Sequence, residues 1–324
     1  RVQWCERRCL QVLAALGGGR LDLFGSPVGM RWTRLVEEAA ANDTALVVEG
    51  VGLDWRAGQR VVVASTSWNP WQAEVRTISA VAPSTGAAAT TTLLLSEPLS
   101  HPHTANVATF GGPPAPAMDM RAEVALLSSN VRVVSAAAAL PASDSPGTDG
   151  AAAPAAAGGE PHGCVVIVAG NSTGRMADVE LSACGQAASG RAALSFLRLL
   201  PIDPAAGPVN ALPHGGRGVT NETSTASDGS SDGDGGATAA AANPSVVASC
   251  AVAFSHAGGL FVRGGGGADG RVRVSSSAVY MTRGAPAFAV SSPGARGNGG
   301  GADLLRNLGL GTAWDDSVSQ SGRR

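Results

Sequence analysis

Four short stretches of this chain are variations on one pattern, and that repetition restricts the chain to stacked architectures. They are Ala177–Gly185, Ala251–Gly258, Ala278–Gly284 and Ala302–Gly309. Each opens on a small residue, runs through a short apolar-rich strand and two or three polar residues, and closes on glycine. The last three begin 27 and 24 residues apart. A second apolar strand follows the glycine in two of them, at Gly259-Leu260-Phe261-Val262 and Ala287-Phe288-Ala289-Val290. A single strand–turn–strand unit of this length cannot bury its own inward face, so it must stack on neighbours. The pattern therefore predicts an all-β solenoid, a parallel β-helix with a continuous apolar core. Val252, Phe254, Leu260, Phe261, Val279 and Phe288 are expected in that inward stack, in register between coils, with Val252 and Phe254 on one side by period-2 alternation.

Composition fits thin coils. Apolar residues make up 44% of the 324, but aromatics only 4%, so the core must be built from Val, Leu, Ala and Ile. Net charge is -2, and all 23 basic residues are Arg. They form no cluster beyond Arg7-Arg8 and the last two residues, which excludes a nucleic-acid footprint. No apolar run approaches the roughly 20 residues of a spanning helix. The chain opens on Arg and is expected to be a fragment, with any signal peptide or membrane anchor in parts missing from it.

The chain divides by composition. Residues 1–20 are expected to be a frayed end or the remnant of a preceding domain. Residues 21–134 read as β-strands and the first part of the solenoid, with a glycine turn at Asp54-Trp55-Arg56-Ala57-Gly58. Residues 135–160 and 203–244 are Ala, Gly, Ser, Pro and Asp with almost no large apolar side chain. Such segments cannot offset their ordering entropy and are expected to be disordered insertions. Residues 161–202 and 245–312 carry coils, and 313–324 form a tail.

An ordered series of motifs carries a family likeness. It comprises Leu21–Gly25, Arg31–Leu35, Leu53–Thr66, Gln72–Ile78, Leu95–Leu99 and Met120–Val131, and later Val279–Gly284 and Arg306–Thr312. The series resembles the segment that follows the G-eight domain in fibrocystin, fibrocystin-like proteins and the cell-surface hyaluronidases. This resemblance implies a right-handed β-helix on an extracellular or membrane-anchored protein. It also implies where chemistry would sit. A family strand of the form Arg-Tyr-Pro-Ile-His-Phe-His corresponds to Arg191–Leu197, with Ser195 and Leu197 in place of both histidines. The Gly-His and acidic pair that follow Thr-Arg in the family correspond to Gly284–Ser292, which holds no His, Glu or Asp. Glycoside cleavage needs positioned proton donors and carboxylates. The expected function is thus a noncatalytic extracellular or cell-surface module for adhesion, matrix or glycan binding, with no cofactor and no metal. The alternative is a polysaccharide-cleaving, hyaluronidase-like enzyme with a rearranged site around His256.

The remaining candidates are local. Trp68 and Trp71 bracket the turn Asn69-Pro70. Average tryptophan burial favours rings folded back over the sheet, whereas exposed rings would stack on sugars or anchor a protein. Arg76 is a candidate glycan contact beside them and a same-face neighbour of Glu74, with which it is expected to form a surface pair. Asp54 is expected to close its own turn. His101 and His103 share a face and sit in a loop, where a metal would need a third ligand. Asn42, Asn171 and Asn221 each open an N-glycosylation acceptor sequence. Five cysteines leave no closed framework. Cys164 and Cys184, 20 residues apart, are expected to pack as core thiols, with a disulfide as the other possibility.

Overall fold

A computed structural model describes residues 11–50, 53–83, 89–109, 111, 117–135, 163–197, 245–263, 272–291 and 302–313. The expectations for residues 136–160 and 203–244, for Asn221 and for the tail from 314 onward fall outside the described residues. Among the described residues the structure is almost entirely β, with no α-helix and two single-turn 3-10 segments.

The chain begins with β1 (Val12–Ala15) and β2 (Arg20–Phe24). It then leaves the parallel stack for β3 (Trp32–Arg34), β4 (Ala45–Glu49), β5 (Arg60–Val63), β6 (Glu74–Pro83) and β7 (Thr90–Leu95). A short hairpin, β8 (Val107–Thr109) and β9 (Ala117–Asp119), precedes β10 (Glu123–Leu126). The stack resumes with β11 (Val131–Val134), β12 (Val165–Ala169), β13 (Thr173–Ala177), β14 (Val179–Ser182) and β15 (Leu194–Leu197). It continues through β16 (Val246–Ala248), β17 (Ala251–Ser255), β18 (Leu260–Arg263), β19 (Val272–Ser275) and β20 (Ala278–Arg283). It ends with β21 (Phe288–Ser291), β22 (Ala302–Leu305) and β23 (Leu308–Ala313).

Three five-stranded parallel sheets result, in the orders β1-β12-β15-β18-β21, β2-β13-β16-β19-β22 and β11-β14-β17-β20-β23. Successive strands visit the three sheets in turn, so the chain winds through five stacked coils. The inward ladders, among them Val166–Leu194–Leu260–Phe288 and Leu181–Val252–Val279, fill one apolar core with Met176, Phe196, Val247 and Val274.

Two of the six residues assigned to the inward stack face elsewhere. Phe254 has a left-handed backbone, φ 55°. That kink cancels the alternation after Val252 and turns Phe254 outward, edge-to-face against Tyr280 at 5.4 Å. The kink belongs to the coil itself, since Ala183, Met281 and Gly311 have positive φ at the matching position of neighbouring coils. Phe261 alternates with the inward Leu260 and Val262 and lies on the outer side under Arg263, whose guanidinium is 4.8 Å from the ring centre. A second left-handed position recurs two residues before the third-sheet pairing, at Asp178, Ser249, Ser276 and Arg306.

The repeat spacing also needs correction. Ala251 lies opposite Ala278, a true coil of 27 residues, but Ala278 lies opposite Leu308, 30 residues on. Ala302 pairs with Val272 on a different sheet. A small residue followed by an alternating apolar strand occurs on every face, so self-similarity alone does not separate the faces.

Residues 32–126 are not coils. Strands β3-β10-β5-β6-β7-β4 form one antiparallel sheet, and a bridge from Leu35 to Val48 brings its two edges together. Leu35, Leu46, Val48, Trp55, Val61, Val63, Ile78, Leu93, Val124 and Leu126 fill the resulting barrel. Nor are residues 12–20 a remnant: β1 and β2 pair with β12 and β13 as the first coil. The barrel leaves the stack between the second and third strands of that coil. It lies on the outer face of the third sheet, where Val62, Ala125 and Leu127 pack against Ala253, Ala278 and Tyr280. Ion pairs pin the seam. Glu180, almost wholly buried, receives Arg60 at 2.8 Å and Arg132 at 3.0 Å. Buried Arg31 donates to the Ser128 carbonyl at 3.0 Å and lies 3.6 Å from Asp178.

Candidate functional site

Between β5 and β6 the barrel projects the loop 64–73 over the last coil. Sequence dictates its shape. Asn69 caps a 3-10 turn, its side-chain oxygen accepting the Trp71 N–H at 3.0 Å, with Pro70 at the first position. Ser65 Oγ donates to the Asn69 carbonyl at 2.7 Å, and Ser67 Oγ donates to Gln72 Oε1. With the loop bonded to itself, Trp68 has nowhere to fold back and stands fully in solvent; Trp71 is half exposed. This departs from average tryptophan burial, because the capped turn points both rings off the sheet. Ser65, Ser67, Trp68, Pro70 and Ala73 form one wall of an open groove of about 340 Å³, and Gly309, Leu310 and Gly311 of β23 form the other. Gly311 runs at φ 63°, a conformation natural to glycine, and lies against the Tyr280 ring.

A buried polar clamp holds the foot of this loop. His103 is buried; its Nδ1 meets the Ala64 carbonyl at 2.8 Å and its Nε2 meets Glu74 Oε1 at 3.0 Å. Glu74 also accepts the backbone N–H groups of Ser100 at 2.7 Å and His101 at 2.8 Å, and pairs with Arg76. Burial alone would raise the Glu74 carboxyl. The bonds from His103, Ser100 and His101 and the Arg76 charge outweigh it and hold the pKa at about 2. Since Ala64 opens the loop and Glu74 follows it, one imidazole ties both ends together.

These contacts correct several expectations. Arg76 pairs with Glu74, but below the surface: it is nine-tenths buried and further spent on the Pro98 carbonyl at 2.9 Å and Ser100 Oγ at 2.9 Å. It lines no groove. His103 is not a loop histidine free for metal. Asp54 does not close its own turn; it accepts the Gly29 N–H at 3.2 Å, while the Gln59 side chain closes the Arg56–Gln59 turn. His256 is half-buried at the turn after β17, its backbone N–H donated to the Cys184 carbonyl at 2.8 Å. Among the described residues, no three of His, Cys, Asp and Glu are gathered as a metal would need. Ser195 and Leu197, at the positions of the family's histidines, alternate with inward Phe196 on β15. Cys164 and Cys184 are joined in a disulfide across the second coil rather than packed as thiols. The free Cys250 thiol is buried, and burial pushes its pKa up to about 11, so it is an inert core group. Asn42 and Asn171 are exposed on turns.

Sequence reasoning missed the clamp and the β23 wall. The clamp's signal was the pairing of His103 with an acid 29 positions earlier, which only the barrel register brings together.

No family model matches the chain. Fibrocystin-L from Mus musculus is 35% identical over 117 residues, 36% of this chain and 3% of the relative. Fibrocystin-L from Homo sapiens is 32% identical over 119 residues, 37% of this chain and 3% of the relative. Fibrocystin from Canis lupus familiaris is 33% identical over 63 residues, 19% of this chain and 2% of the relative. The matched part thus spans a few hundredths of the length of these relatives. Among solved structures, the Pseudomonas phage phi297 tailspike gp61 aligns over 93% of this chain and 37% of its own at 8% identity, TM-score 0.22. The tailspike gp49 of Pseudomonas phage LKA1 aligns over 94% and 41% at 9% identity, TM-score 0.23. TM-scores this low do not define a shared fold.

Proposed function

We propose that this chain is a noncatalytic module of an extracellular or cell-surface protein, a right-handed parallel β-helix with a barrel mounted on one face, and that it binds a glycan through the Trp68 groove. The observation that carries this reading is a fully exposed indole on a loop whose own hydrogen bonds and buried clamp leave it little freedom. Burying such a ring against the C–H face of a sugar recovers apolar area at low entropic cost, because the loop is already ordered. Three features support an extracellular setting: the Cys164–Cys184 disulfide, which suits an oxidising compartment; the exposed acceptor asparagines Asn42 and Asn171; and the likeness to fibrocystin-L. The described helical segments are single 3-10 turns, and none is long and apolar enough to cross a membrane. Chemistry favours binding over cleavage, since among the described residues no ionisable side chain lines the groove. Immobilised glycans probed with the chain and with Trp68→Ala test the reading. Retention that disappears in the variant supports it, and absence of retention on every glycan refutes it.

A further inference from the structure

We infer that the Trp68 groove selects a neutral pyranose, not an acidic one; this rests on the reading of the groove as a glycan site and names its ligand class. Sequence proximity of Trp68, Trp71 and Arg76 points to acidic sugars, with an arginine pairing to a carboxylate. The structure removes that arginine. Arg76 is turned inward onto Glu74, Ser100 and the Pro98 carbonyl, and is nine-tenths buried. Among the described residues, what lines the groove, from Ser65, Ser67 and Trp68 on the loop to Leu310 and Gly311 on β23, carries no charge.

Each part of that lining suits an uncharged ring. An indole face offers apolar area and a negative quadrupole to the polarised C–H bonds of a hexopyranose, and repels a carboxylate laid over it. The Ser65 and Ser67 hydroxyls spend their hydrogens within the loop, on the Asn69 carbonyl and on Gln72. Each oxygen also accepts a backbone N–H, Ser65 Oγ from Ser67 at 3.2 Å and Ser67 Oγ from Asn69 at 3.1 Å, so both hydroxyls are engaged within the loop and neither has a hydrogen left for an anion. A carboxylate brought here would lose water and find, among the described lining side chains, only the Trp68 indole N–H to donate and no positive charge to pair with, which is the costly case. On the opposite wall Gly311 carries no side chain, so a ring can approach the β23 backbone closely there. At about 340 Å³ the groove is at the small end of ligand sites, with room for one or two pyranose rings. A contact this small supports affinities on the order of millimolar.

The test is saturation-transfer NMR on the full 324-residue chain, with triacetylchitotriose and cellotriose as neutral probes and a hyaluronan tetrasaccharide as the acidic one. Spectra are taken at low salt and at about 0.5 M NaCl, where exposed charge pairs are screened. The expected result is transfer to a neutral probe, unchanged by salt, reduced about tenfold by Trp68→Ala and partly retained by Trp68→Phe. Because Trp68 is wholly exposed, both variants are expected to fold, which circular dichroism checks. Stronger, salt-sensitive transfer to the hyaluronan fragment that still depends on Trp68 would overturn the neutral-sugar inference while leaving the glycan reading standing. Transfer to neither class would overturn both. Transfer to a neutral probe that is indifferent to Trp68 would place the site elsewhere and likewise overturn the inference.

Discussion

The clamp beneath the groove makes stability depend on acidity in a way that can be calculated. Glu74 titrates near 4.5 in an unfolded chain and at about 2 in the folded one. Between those values the unfolded chain binds the proton first, so lowering the pH draws the equilibrium toward unfolding. The stabilisation is fully present above about pH 5 and is lost as the pH falls toward 2. The fall from 4.5 to about 2 corresponds to stabilisation on the order of 3 kcal/mol for this buried carboxylate. Asp119 is also held below the usual carboxylate range, chiefly by its hydrogen bond from Arg121, but it is partly exposed, and moderate salt weakens its share. The perturbation is Glu74→Gln, which keeps the shape, removes the charge and places an amide N–H where an N–H donor already points. Urea unfolding of both proteins at pH 7, 5, 4 and 3 in about 0.15 M salt is the assay. The variant should be less stable by about 3 kcal/mol at pH 7, and the difference should shrink to about 1.5 kcal/mol at pH 3, on its way to vanishing below about pH 2. A difference that stays constant across this range would show that packing, not the ionised carboxylate, carries the effect, and would refute the clamp.

Other measurements test the fold around it. Reducing Cys164–Cys184, which closes a loop of 20 residues, should lower stability by about 3 kcal/mol, and peptide mapping before reduction should recover the linked pair. Phe196→Ala should cost about 3–5 kcal/mol and Phe254→Ala only about 1–2 kcal/mol, since the first is in the coil core and the second is half-buried outside it; equal costs would contradict the left-handed kink. Ser276→Gly should raise stability by up to about 1 kcal/mol, because it relieves a positive φ of 51° in a non-glycine residue; a loss seen in thermal melts would mean that the turn is not strained.

The coils were legible because stacking writes itself into sequence: the match of Ala251 to Ala278 and of Leu260 to Phe288 survives as similar residues at similar spacing. Their phase was not legible throughout. Ala302 imitates the start of a third-sheet strand while belonging to the second sheet, and the kink at Phe254 is a backbone state that serine, aspartate, methionine and arginine share elsewhere in the stack, so no residue type marks it. The barrel read as further strands because alternation reports a strand's buried face and not the direction of its partner. The site was half legible. Ser, Asn-Pro and Gln around two tryptophans specify a capped turn, but the partners of Arg76, Glu74 and His103 are set by pairings between β5, β6 and the loop after β7, which spacing does not reveal.

The groove exists only where two architectures meet. One wall is a barrel loop and the other is a strand of the last coil, so its width depends on the seam that holds the barrel to the third sheet. That seam mixes apolar packing around Tyr280 with buried charge, in which Glu180 answers both Arg60 and Arg132. Apolar contacts alone tolerate sliding, whereas Glu180 takes Arg132 from its own sheet and Arg60 from the barrel, so a displaced barrel withdraws one of its two guanidiniums and leaves Arg60 without its carboxylate. The Trp32 indole adds a directional bond to the Arg306 carbonyl at 2.9 Å, two residues before β23 begins. The polar part of the seam therefore acts on the site at a distance. Weakening it, as in Glu180→Gln, should free the barrel to shift on the coils and open the groove, lowering sugar affinity while Trp68 itself is untouched.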